Sequence, residues 1–160
     1  MADRLLTKNA ILALLAETPR RIEALTSDMP RARLQTAPSA TEWSPTLVLA
    51  HLRSCADVWI DCIVTTVLED HPTLQAVNPN TWIKSTDYCD LDFARSWRSY
   101  AQQRADLLAF LEELPDPAWS RSATVTGAGP VRERTVHFYA QWLATHERSH
   151  LKQFHGLLRG

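Results

Sequence analysis

The chain has 160 residues, a size at which one domain buries about two-thirds of its unfolded surface without disulfide staples. Hydrophobic residues make up 45% and charged residues 22%, and the net charge of −1 lacks the basic surplus of a nucleic-acid binder. Four glycines disfavour a turn-rich all-β architecture, and three cysteines without a C-x-x-C pair disfavour a disulfide framework. No run reaches the ~18 apolar residues of a membrane span, and the N-terminus shows no signal-cleavage pattern. Residues 1–160 therefore read as a single domain, and the odd set of thiols fits a reducing cytoplasm.

Four helical segments follow one another along the chain. The first spans roughly Asp3 to Ser27, where Leu5, Ile11, Leu12, Leu15, Ile22 and Leu25 form a stripe at three- and four-residue steps. Pro19 interrupts it, so the segment is either one kinked helix or two short ones. The second begins at Ser44-Pro45, an N-cap serine before a proline whose missing N–H costs nothing in the first turn. Its apolar residues run from Leu47 to Val67, and Pro72 ends it near Glu69. Residues 70–90 then form a long connection, which reads either as a lid over a site or as a surface crossover held by Trp82 and Tyr88. The third helix runs from about Leu91 to Leu114 and stops at Pro115. Within the irregular stretch that follows, Ala123–Thr126 is a candidate extended piece, and Gly127-Ala128-Gly129-Pro130 is a turn signal. The fourth helix covers about Thr135 to Leu158. Val136, Tyr139, Leu143, His146, His150 and Phe154 share one of its faces. The fold class expected is an all-α bundle.

His146 and His150 lie four residues apart, one turn of helix, so their imidazoles project to the same side. Two such rings can converge on one ion at about 2.1 Å, the distance usual for zinc. His51 is in register with Leu47, Cys55 and Val58 and points inward on the second helix. Ligands from facing helices are a common way to build a metal site in a bundle. Against this stands the plainer reading of surface and hydrogen-bonded core histidines, and spacing alone leaves both open. Cys55, one turn after His51, is a candidate ligand or core filler. Trp59 and Trp82 are candidate pocket walls, Tyr139 a candidate donor near the site, and Gln153 a candidate partner for an imidazole N–H. Trp43 is expected to staple the start of the second helix. His71, His137 and His155 read as surface residues, and Glu147, about 100° around the helix from His146, as solvent-facing or salt-bridging.

Three stretches carry a family resemblance: Trp43-Ser44-Pro45, Val48-Leu49-Ala50-His51-Leu52, and His146-Glu147-Arg148-Ser149-His150-Leu151-Lys152-Gln153. Together they resemble the DinB-like superfamily of bacterial four-helix proteins. The resemblance implies an up-down-down-up four-helix bundle, usually a homodimer. It also implies a divalent metal on three histidines, which map onto His51, His146 and His150. Zn, Ni, Fe and Mn all tolerate such ligands. Three protein ligands leave a coordination position open, and neutral imidazoles leave an ion its Lewis acidity. Similar proteins include transferases or isomerases that use bacillithiol or mycothiol. The function expected is therefore a metal-dependent transferase joining a low-molecular-weight thiol to small electrophiles. The alternatives are a metal-dependent hydrolase and a non-catalytic, stress-induced metal-binding protein. No membrane or nucleic-acid partner is expected.

Overall fold

A computed structural model describes residues 4–159. Its long helices are α1 (Lys8–Thr26), α3 (Pro45–Leu68), α5 (Phe93–Glu113) and α6 (Val136–Arg159), joined by the short α2 (Arg31–Gln35) and α4 (Pro79–Trp82). Among the described residues no helix is long and apolar enough to cross a membrane.

Side-chain capping fixes all four starts. The side chains of Thr7, Ser44 and Asp92 accept from the amides of Ala10, Leu47 and Arg95, and Thr135 accepts from the Phe138 amide at the head of α6, each satisfying a donor the first turn leaves free. The first helix thus begins later than its apolar stripe suggested. Residues 4–6 lie extended on α6, where Leu6 N–H donates to Gln141 and the Gln141 amide donates to the Arg4 carbonyl. Asp3 falls outside the described residues.

Pro19 does not split α1. A proline has no N–H to give, so the carbonyl four residues before it, that of Leu15, lacks its helical partner. Arg104 on α5 donates to that carbonyl at 3.0 Å from one guanidinium nitrogen. The same nitrogen donates to Glu147 Oε2 at 2.9 Å, and the other terminal nitrogen donates to Oε1. Tyr100 also donates to Glu147. This network lies between two apolar clusters, one around Ile63, Leu111 and Leu143, the other around Leu49, Leu52 and Phe154.

Packing partners give the helix directions. Leu6 meets Gln141 and His137, so α1 and α6 start at the same end. Lys8 meets Asp116 just beyond α5, so α1 and α5 are antiparallel. Arg53 reaches Ser96 and Asp57 reaches Gln103, so α3 runs with α5. Trp59 meets Trp142 while His51 meets His150, so α3 opposes α6. The order is up-down-down-up, with α1 beside α5 and α6.

The bundle carries a small sheet that the sequence only partly announced. β1 (Thr73–Gln75) pairs parallel with β2 (Ser122–Thr126), which pairs antiparallel with β3 (Arg132–Thr135). The β2–β3 turn contains Gly127 at φ +92°, a backbone conformation that L side chains rarely adopt, so glycine suits the turn. The 70–90 connection is ordered: Asp57 on α3 accepts from Trp82 Nε1 at 3.1 Å, Tyr88 OH at 2.6 Å and Gln103 Nε2 at 2.7 Å. Trp82 and Tyr88 anchor it, as the crossover reading anticipated.

Candidate metal centre

His51 sits in the second turn of α3, which Ser44 and Pro45 start at a fixed phase. His146 and His150 occupy successive turns of α6 on the face toward α3. The three rings come together. Their centroids are 5.5 Å apart for His51 and His146, 4.8 Å for His51 and His150, and 4.7 Å for the α6 pair. The Nε2 atoms of His146 and His150 approach to 3.2 Å, and the Cys55 Sγ lies 3.5 Å from His51 Nε2. Ligand atoms of His51, Cys55 and His146 all fall within 4.8 Å of one another. Cys55 therefore groups with His51 and His146, and His150 adjoins them through His146; among the described residues no carboxylate joins the group.

The cluster's electrostatics suit a cation. Burial, then the neighbouring His150 and His51, hold the His146 imidazole down at about 4. Burial and His150 also lower His51, with the Asn80 side chain from α4 opposing them. Near neutral pH both rings keep a lone pair free, the form a metal takes. His146 Nδ1 is buried with no hydrogen-bond partner, while its Nε2 is the nitrogen turned toward His150. Cys55 is different. Burial pushes its thiol up to about 12, so without a cation it stays protonated.

Gln153 Oε1 lies 2.9 Å from His150 Nδ1. When Nδ1–H donates there, the Nε2 of His150 faces the other rings unprotonated. Trp59 packs edge-on to His146 at 5.4 Å. Trp82 donates to Asp57 and lines a different cavity, beside Asp61 and Thr65. Tyr139 lies beside the half-buried Cys62 and pairs with none of the three histidines among the described contacts. Trp43, expected as a staple, packs against His51 at 5.2 Å. His71 and His155 are exposed, but His137 is half-buried and bonds the Leu6 carbonyl.

Two features corrected or escaped the sequence reading. Glu147 is fully buried, not solvent-facing, and its salt bridge is to Arg104. Its partner is 43 residues away, beyond any local pattern. Trp142 stacks on His146 at 4.9 Å and meets Trp59 at 4.0 Å. Its place one turn before His146 was the available signal.

The model of the DinB superfamily matches residues 14–154. No curated protein matches the chain. Among solved structures, one from Bacillus subtilis superposes with a TM-score of 0.73 at 17% identity, covering 98% of this chain and 91% of its own. That protein, YfiT, is described as "a probable metal-dependent hydrolase with an unusual four-helix bundle topology". At this identity the likeness shows the fold.

Proposed function

We propose that this chain, which belongs to the DinB superfamily, is a metal-dependent enzyme. In it His51, His146 and His150 hold one divalent ion of the Zn, Ni, Fe or Mn class, with Cys55 as a fourth donor within reach. The observation that carries this reading is the convergence of three imidazoles, two of which, His51 and His146, are held toward the neutral form by burial and by neighbouring rings. A bound ion would supply Lewis acidity, which lowers the pKa of a coordinated thiol or water.

The residues around the cluster favour a thiol over water as nucleophile. Hydrolysis commonly uses a protein carboxylate as general acid or base. Glu147 is taken up by Arg104, and Asp57 by three donors of its own. A low-molecular-weight thiol of the bacillithiol or mycothiol kind needs no such base once its sulfur is deprotonated. The sulfur attacks an electrophilic carbon, the leaving group departs with its electron pair, and the thiol proton passes to solvent. Trp43, Trp59 and Trp142 wall the approach and limit water.

Metal-loaded protein is assayed with bacillithiol, mycothiol or cysteine and 1-chloro-2,4-dinitrobenzene. The expected result is a thiol-dependent rate well above that of His51→Ala. A rate no higher than that variant's contradicts the reading. The hydrolase reading keeps one specific support, the fold shared with the Bacillus subtilis protein. Ester hydrolysis by metal-loaded protein without thiol would favour it. A homodimer, as the family resemblance implies, in a reducing cytoplasm, which the odd set of thiols fits, completes the proposal. Light scattering of the purified protein tests the oligomeric part.

A further inference from the structure

A second cavity, of about 270 Å³, lies between the small sheet and helices α3 and α6. It shares Trp59 and Trp142 with the histidine cluster, whose His146 ring packs on both. The two sites are therefore separated by one tryptophan pair. At this volume the cavity falls near the low end of small-molecule pockets. Its apolar lining includes Phe138, one turn before Trp142 on α6. Its polar groups are asymmetric. Alternation along β3 sends Arg132 and Arg134 to one side of the strand and Glu133 to the other. Both arginines line the cavity, whereas Glu133 pairs with His71 at 2.7 Å. The Arg134 guanidinium lies over the Phe138 ring at 4.1 Å. Among the described residues neither arginine forms an ion pair. Among the described residues no carboxylate lines this cavity.

We infer that this cavity is the substrate pocket, and that it takes a small organic anion with an aromatic or flat apolar body, a carboxylate above all. The ring would lie against Trp59, Trp142 and Phe138, and Arg132 and Arg134 would hold the anionic end. Arginine suits this task because its planar fork donates two parallel hydrogen bonds to a carboxylate. The inference rests on the proposed metal chemistry only for what happens to the bound molecule. Its recognition by the cavity is a separate claim.

The test is calorimetric titration with trans-cinnamate and with its neutral analogue cinnamyl alcohol. The expected result is that cinnamate binds tighter by roughly ten-fold or more, the scale of a charge-assisted hydrogen bond. Arg132→Gln/Arg134→Gln should abolish that preference, and Phe138→Ala should weaken both probes. Should the double variant not fold by circular dichroism, Arg134→Lys, which keeps the charge, should reduce the preference without removing it. Equal binding of the two probes, or a preference unchanged in these arginine variants, overturns the inference. His51→Ala separates the two claims, because it should lose metal and keep the cinnamate preference. Were the metal reading wrong, metal content would not respond to His51→Ala while the preference stayed. Were the pocket reading wrong, metal would bind and the preference would be absent.

Discussion

At the scale of single residues, His146 sets the terms. Its ring is stacked on Trp142, crowded by two imidazoles, and held down at about 4. In the unfolded chain the same group titrates near its ordinary 6.5. As pH falls through that interval the unfolded chain takes up the proton first. Metal-free protein should therefore be most stable above about 6.5 and lose stability progressively down to about 4. His146→Ala lacks this contribution and should show a shallower loss. Urea melts at a series of pH values read the difference, and parallel curves would contradict it. Gln153 makes a second prediction. Gln153→Ala removes the acceptor that orients His150 and should weaken metal affinity about 10–100-fold, as loss of such partners does elsewhere. Competition with a chelator of known affinity measures it. An unchanged affinity would show that Gln153 has no orienting role.

At the scale of elements, the buried ion pair ties three helices together. Arg104→Met would leave Glu147 charged and unpaired in the core, a loss of about 3–5 kcal/mol. Replacing both partners, Arg104→Met with Glu147→Leu, should recover most of it, since the desolvated charges leave together. Denaturant unfolding of the single and double variants decides between this and a pair that is itself stabilising. The 70–90 connection has a similar anchor in Asp57. Asp57→Ala strips the acceptor from Trp82, Tyr88 and Gln103 and should cost about 1–3 kcal/mol. Amide exchange over residues 80–90 should accelerate while the helix cores stay protected. Uniform protection in the variant would mean that other contacts hold the segment.

The whole molecule was legible in the sequence where its signals are local. The capped start at Ser44, the three-and-four spacing and the stops at Pro72 and Pro115 placed the long helices within a few residues. The same spacing put the three histidines on facing sides of α3 and α6, and the family resemblance supplied the order of the bundle. What was illegible depends on partners far along the chain. The parallel pairing of Thr73 with Thr124 joins segments too short to show their period. The burial of Glu147 depends on Arg104 and on the carbonyl that Pro19 frees. The cavity beneath the sheet depends on that sheet having formed. These distant pairings give the molecule its asymmetry: the side of α6 toward α1 and α5 is locked by the ion pair, and the side toward α3 presents histidines and tryptophans. The central claim is that those histidines hold one divalent ion. Anomalous diffraction at the metal absorption edge, from crystals of metal-replete protein, tests it most directly. The account predicts a single peak within about 2.1 Å of ring nitrogens of His51, His146 and His150. Crystals of metal-replete protein with no peak in that cluster would contradict it.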